Sequence, residues 1–343
     1  MIDVHAHMGV PAAEALAAAA PGYAAHQAAV RARYQNPATA AHTRSIAAEQ
    51  DRLLTDLGAR IARMDETGVA VQLVSINPGQ YHYWADPETA DAIVREINES
   101  LAATVAASPD RLLALGTVAL QHPGPAAAQL RHAVRELGMV GVQISTNAGG
   151  RDLSAPELAE LWTAAEECDA MVFLHPLGCP ELTGRLAPAY LNNIVGQPLE
   201  TTIALAHLIF TGVLDRHPGL RVCAAHGGGY LPHYLGRGEH AYAVRPDSRT
   251  MAHPPSHYLR RIWFDSVVHS PAVARDLIDV VGSDRLVTGT DYPFDMGEDR
   301  PAELVEAIPA LSDAERAAIR TGNARALLGG HARRLPAPST PPV

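Results

Sequence analysis

Eight short runs of β-branched and apolar residues, separated by longer stretches of helical character, constrain this chain more tightly than any other feature. They span Met1–Val4, Val69–Ile76, Leu112–Ala119, Val140–Ile144, Met171–Leu174, Leu220–Ala224, Ile262–Ser266 and Arg285–Thr290. Strand-length runs alternating with helix-length segments indicate βα units around a parallel sheet, and near-continuous apolar character marks strands covered on both faces. Eight units predict a single α/β domain, a (β/α)8 barrel over residues 1–330, a fold that holds a chain of 343 residues as one domain. Asp86-Pro87-Glu88 predicts the start of a helix running towards Ser108, and Ser154-Ala155-Pro156-Glu157 the start of the next. Ser312-Asp313-Ala314-Glu315 has the capping-box pattern that opens a last helix.

Two segments break the rhythm. Residues 8–45 form an Ala-rich insertion after the first run, far longer than the usual loop of about two to six residues. It reads as a lid or edge over the barrel mouth, or equally as a decorative insertion or dimer contact. Residues 331–343, Pro-rich from Leu335 onward, are expected to be a disordered tail.

Composition mainly removes possibilities. A net charge of -10 leaves no electrostatic footprint for nucleic acid or an anionic membrane, and no run of about 18 apolar residues is present. The first run begins at Met1 with no room for a signal peptide ahead of it, so a cytoplasmic protein is expected. All 27 basic residues are Arg, which excludes Schiff-base chemistry, a phosphate-loop lysine and a carbamylated-lysine metal bridge. Cys168, Cys179 and Cys223 match neither a disulfide framework nor a thiolate zinc site, and read as buried free thiols.

The chemistry-bearing residues share a position. His5 and His7 follow the first run, His175 ends the fifth, His226 ends the sixth and Asp291 ends the eighth, all at carboxyl ends, where a barrel of this kind assembles its active site. In His5-Ala6-His7 the two imidazoles lie on one face of an extended strand, with Cα atoms about 6–7 Å apart, a spacing that suits two ligands of one ion. Three imidazoles and a carboxylate form a borderline site for one divalent metal ion, Zn²⁺ first, with Mn²⁺, Fe²⁺ or Co²⁺ as alternatives. His226, followed by three glycines, is expected as general acid/base, with a fourth nitrogen ligand as the alternative. Asp291 is expected to bind the ion, orient water, or both. Among weaker candidates, Trp84 in Tyr81-His82-Tyr83-Trp84 is expected as a pocket wall or equally as part of a packed loop, Phe294 as a pocket wall, and Arg237 as a carboxylate-binding group or equally a surface ion pair.

Asp3-Val4-His5-Ala6-His7, Phe173-Leu174-His175-Pro176, Ala225-His226-Gly227-Gly228-Gly229 and Gly289-Thr290-Asp291-Tyr292-Pro293-Phe294 resemble the amidohydrolase superfamily. More narrowly, together with Tyr83-Trp84-Ala85, Gly141-Val142-Gln143-Ile144 and Pro198-Leu199-Glu200-Thr201-Thr202, they are similar to the 2-amino-3-carboxymuconate-6-semialdehyde decarboxylase group. The resemblance covers the first seven residues and about Gly58 to Gly297. It implies one divalent ion on His5, His7, His175 and Asp291, acid/base work by His226, and non-oxidative decarboxylation of a small unsaturated or aromatic carboxylic acid. The alternative is a metal-dependent hydrolase or hydratase. It also implies a homodimer in which Arg237 reaches the neighbouring subunit's pocket. The chain departs from the pattern at Leu177 and Asn193, where the group has tryptophans. It departs again at Asp51, where a second substrate-binding arginine is expected; Arg52 lies one residue away.

Overall fold

The computed structural model describes residues 1–33 and 36–336. Among these, eight parallel strands hydrogen-bond in chain order: β1 (Ile2–Met8), β2 (Val71–Ile76), β3 (Leu112–Gly116), β4 (Gly141–Ile144), β5 (Met171–Leu174), β6 (Arg221–Ala224), β7 (Trp263–Asp265) and β8 (Leu286–Val287). The sheet closes on itself just beyond β8, where Val4 N donates to Thr288 O (2.9 Å), Asp291 N to His5 O (2.8 Å) and His7 N to Tyr292 O (2.7 Å). The expected (β/α)8 barrel is the fold.

The outer strands depart from expectation in length. The first, expected over Met1–Val4, continues to Met8, so His5 and His7 lie within β1 and not after it. Hydrogen bonds to both β2 and the segment after β8 keep the polar His-Ala-His stretch extended. One extra residue enters β1 between its Asp3–Gln72 and Ala6–Val74 pairs, a bulge that re-aims the side chains ahead of the site. The eighth strand is shorter than Arg285–Thr290, because Gly289 to Asp291 turn inward to meet β1.

Helix signals fare unevenly. Pro87–Ala107 starts at Asp86, whose carboxylate accepts from Glu88 N and Thr89 N, and buries Ala90, Ile93, Val94, Ile97 and Leu101 at helical spacing. The capping box of Ser312 and Glu315 is formed in full. Ser154, by contrast, caps nothing: a 3-10 turn over Pro156–Leu158 intervenes, the helix proper is Ala159–Glu167, and the Ser154 hydroxyl bonds to His207 Nδ1 (2.8 Å).

The insertion holds helices α1 (Pro11–Ala19) and α2 (Tyr23–Arg33), and α3 (Pro37–Thr55) continues past its expected end. Its docking is specific. Gln80, in the loop after β2, accepts from Val10 N and donates to Val10 O, both at 2.9 Å. Glu14 bonds Tyr23 Oη (2.6 Å) and His82 Nε2 (3.1 Å), and the His82 bond together with that of Tyr23 holds its carboxyl down to about 2 against the effect of burial.

Inside the barrel, Ile2, Leu73, Leu115, Met171, Phe173, Cys223 and Val287 form one buried cluster with Ala324, Leu327, Leu328 and Leu335. Residues 331–336 thus belong to the fold and not to a disordered tail: Leu335 is buried, and His331 Nε2 bonds to Cys168 O (2.9 Å). An apolar side chain two turns beyond Leu328 gives this segment burial to offset its ordering entropy. The remainder of the expected tail, residues 337–343, lies outside the described residues.

Candidate metal centre

The carboxyl ends of β1, β5, β6 and β8 bring His5, His7, His175, His226 and Asp291 together. Asp291 is the hub: its Oδ1 lies 3.2 Å from His5 Nε2, 3.0 Å from His7 Nε2 and 4.0 Å from His175 Nε2, and its Oδ2 lies 3.3 Å from His226 Nε2. His5 Nε2 and His7 Nε2 are 3.0 Å apart. Ligand atoms of His5, His175, His226 and Asp291 all fall within 4.8 Å of one another.

The far nitrogens settle what the near ones are. His5 Nδ1 faces Asp265 Oδ2 at 2.6 Å, His7 Nδ1 faces Ile76 O at 3.2 Å, and His175 Nδ1 faces Pro176 O at 2.9 Å. Each Nδ1 has an acceptor and so carries the ring's proton, which leaves three Nε2 lone pairs pointed at a carboxylate. His175 Nε2 and Asp291 Oδ1 are buried without a properly angled hydrogen bond. Converging lone pairs repel unless a cation lies between them, so the donor set fits a divalent ion.

The electrostatics agree. Burial alone would depress His5, but the Asp291 and Asp265 carboxylates outweigh it and push it up to about 10, so the pocket favours positive charge at this ring. Burial and the neighbouring imidazoles keep His175 well below the ordinary histidine value. The surrounding imidazoles overcome burial to hold Asp291 well below the usual carboxylate range.

His226 differs from the other three histidines. Its side chain is 19% exposed against 0–5% for His5, His7 and His175, and its Nδ1 has no partner. It sits at φ +54, and Asp291 at φ +57, in the left-handed region that non-glycine residues seldom occupy and that clusters at functional sites. The glycines after His226 permit this turn: a Cβ on Gly227 would come within 2.6 Å of Val268 Cγ1, and one on Gly228 within 2.5 Å of Phe264 Cε1.

The weaker candidates scatter. Phe294 stays close, its ring centroid 5.2 Å from that of His7. Trp84 instead stacks on His26 of α2 (5.6 Å) and contacts Tyr23, serving the insertion's docking. Of its neighbours, Tyr81 hydrogen-bonds His175 O at 3.4 Å. Arg237 is exposed on the helix Leu235–Val244, beside a shallow depression lined with His240, Ala241, Val244 and Arg245. It is not brought to the histidine cluster. Leu177 is partly buried against the core, and Asn193 begins the second residue of a π-helical turn, Asn192–Gly196.

Two carboxylates escaped the sequence reading. Asp265 orients His5 and also accepts from Gly227 N (3.0 Å) and Val267 N (3.1 Å), linking β7 to the turn that carries His226. An acid at the carboxyl end of the seventh run was the available signal. Asp3 accepts from His5 N (3.0 Å), Gln72 Nε2 (2.8 Å), Thr290 N (3.1 Å) and Thr290 Oγ1 (2.6 Å), pinning β1, β2 and the β8 turn beneath the site.

A barrel with this donor set at its mouth is the plan of a metal-dependent amidohydrolase, and residues 2–330 match the amidohydrolase family model: the chain belongs to that family. It is 35% identical over 285 residues to 2-amino-3-carboxymuconate-6-semialdehyde decarboxylase of Dictyostelium discoideum, covering 82% of this chain and 79% of that one. It is 30% identical over 300 residues to gamma-resorcylate decarboxylase of Rhodococcus jostii, covering 81% and 89%. In fold it is similar to 5-carboxyvanillate decarboxylase from Sphingomonas paucimobilis, with a TM-score of 0.81, 24% identity and coverage of 96% and 98%. It is likewise similar to a dihydroxybenzoic acid decarboxylase from Polaromonas with bound manganese, with a TM-score of 0.80, 23% identity and coverage of 95% and 96%.

Proposed function

We propose that this protein is a metal-dependent non-oxidative decarboxylase, a carbon–carbon lyase, acting on a small aromatic or unsaturated carboxylic acid. The observation that carries this is the convergence of three imidazole lone pairs and the Asp291 carboxylate with the more exposed His226 beside them. The relatives named as decarboxylases support the reaction class.

His5, His7, His175 and Asp291 hold the ion, which when bound supplies a positive charge that polarises substrate or water. Zinc is the favoured ion on donor chemistry, and manganese is the alternative that a structural neighbour carries. His226 gives a proton to the substrate carbon that bears the carboxylate. The bond from that carbon to the carboxylate then breaks, its electron pair stays on the substrate, and carbon dioxide leaves. Asp291 Oδ2, 3.3 Å from His226 Nε2, orients the imidazole for the transfer. Phe294 walls the pocket beside His7. A homodimer in which the partner subunit's Arg237 grips a substrate carboxylate, and a cytoplasmic setting, belong to the same reading. Consistent with it, among the described residues no helix is long and apolar enough to cross a membrane.

The test supplies metal-loaded protein with 2,6-dihydroxybenzoate, 5-carboxyvanillate and unsaturated amino-dicarboxylates and measures gas and product together. One carbon dioxide per product is expected. A water-addition or hydrolysis product without gas would replace the reading with that of a hydrolase or hydratase.

A further inference from the structure

A second set of ligand-type side chains lies beyond the carboxyl ends of β4 and β5, apart from the five residues above. Cys179 Sγ, a Glu181 oxygen and a Glu200 oxygen all fall within 4.8 Å of one another, with Sγ 3.7 Å from Glu181 Oε2. Cys179 is 3% exposed and Glu200 4%, whereas Glu181 is exposed to solvent. Glu200 Oε2 accepts from Asn147 Nδ2 (2.6 Å) and Thr146 Oγ1 (3.2 Å), so the carboxylate is clamped in place.

Among the described residues, neither glutamate pairs with an arginine. A thiol and two carboxylates, two of the three side chains buried, thus form a compact acidic group without a counter-charge, an arrangement that calls for a cation or extra protons. Burial and the two carboxylates push the Cys179 thiol up to about 12. A separate observation also points to an absent ligand. Asn192, 1% exposed, has both carboxamide atoms buried and without hydrogen-bond partners. That carboxamide lies over the Gly178–Cys179 backbone: a Cβ on Gly178 would come within 2.7 Å of both its Nδ2 and its Oδ1. A buried amide with neither end satisfied is costly, and its oxygen is a metal ligand of ordinary kind.

We propose that Cys179, Glu181 and Glu200, next to the unsatisfied Asn192 carboxamide packed on the Gly178 backbone, bind a second divalent cation of the zinc class. One sulfur and several oxygens suit zinc, cobalt or cadmium over magnesium or calcium. On binding, the Cys179 S–H proton passes to solvent as the sulfur–metal bond forms. The ion ties the loop after β5 to the helix Gln197–Phe210, and through Asn147 to the loop after β4. It thereby stiffens one wall of the mouth without entering the chemistry.

Cobalt titration of the full-length protein, stripped of endogenous metal, tests this. The histidine and aspartate centre contains no sulfur, so thiolate-to-cobalt charge-transfer absorption reports the second site alone. The expected result is a second cobalt equivalent per chain that brings this absorption, and its loss in Cys179→Ser with the first equivalent retained. Glu181→Gln, at an exposed position that leaves folding intact, is expected to weaken the second equivalent by about tenfold or more. A single equivalent without the band, or a band that survives Cys179→Ser, overturns the proposal. The first equivalent separately reports the histidine centre.

Discussion

The two ends of the barrel use the same eight strands in opposite ways. At the amino ends, Ala324, Leu327, Leu328 and Leu335 fill the opening with apolar side chains. Polar groups there bond to nearby backbone or to one another: Asn323 Nδ2 donates to Ser283 O (2.8 Å) and Leu286 O (2.7 Å), and Arg221 pairs with Asp169. At the carboxyl ends, polar atoms are aimed at one another with their outer faces anchored. The first arrangement is what stability alone selects. The second costs stability and makes sense only when a ligand completes it.

The contrast can be broken most forcefully by removing the ion. Chelation is expected to lower decarboxylation by about 1,000-fold or more, since a polarising metal supplies several kcal/mol of transition-state stabilisation. Readdition of zinc or manganese should restore it, and carbon dioxide release measures both. Full activity after stringent chelation would end the metal assignment.

His226→Asn is expected to reduce kcat by about 100- to 10,000-fold while the metal content stays at one ion per high-affinity site, as read by elemental analysis. A parallel loss of metal would make His226 a ligand and not a proton donor. Asp265→Asn should weaken metal affinity by about 10- to 100-fold, because an amide no longer enforces the His5 tautomer. Competition against a chromogenic chelator reads this directly.

Perturbing the opposite end should separate the two roles. Leu328→Ala removes a fully buried side chain and is expected to cost about 2–5 kcal/mol in chemical denaturation, with metal affinity unchanged. Ser312→Ala, which breaks the capping box far from the mouth, should cost only about 1 kcal/mol and leave kcat unaltered. If either variant lost its ion, the ends would be coupled more tightly than the contacts suggest.

The barrel was readable because each strand carries its own apolar signal and some of the helices carry their own caps. Asp86 and Ser312 announce helices through bonds to residues two or three positions away. Where the deciding contact is distant, local signals misled. Ser154 has the composition of a cap but spends its hydroxyl on His207, 53 residues on. Residues 331–336 look like a Pro-rich tail but pack against strands more than a hundred residues earlier. At the site, the ligand candidates stood out because each histidine or aspartate closes an apolar run. Asp265 did so too, but its partnership with His5 spans 260 residues and leaves no mark in spacing. Arg237 matched a motif, yet its helix carries it onto the exposed surface.

By itself, then, the order of residues determined the repeating βα architecture, the absence of lysine chemistry and the residue types available to a metal, because all three are written in local pattern and composition. Only the tertiary structure decided which nitrogen of each imidazole faces inward, which carboxylate braces His5, and how closely five side chains from four strand ends approach. Those are outcomes of strand register and barrel closure, in which displacing one strand by a single residue would turn its side chains to the other face.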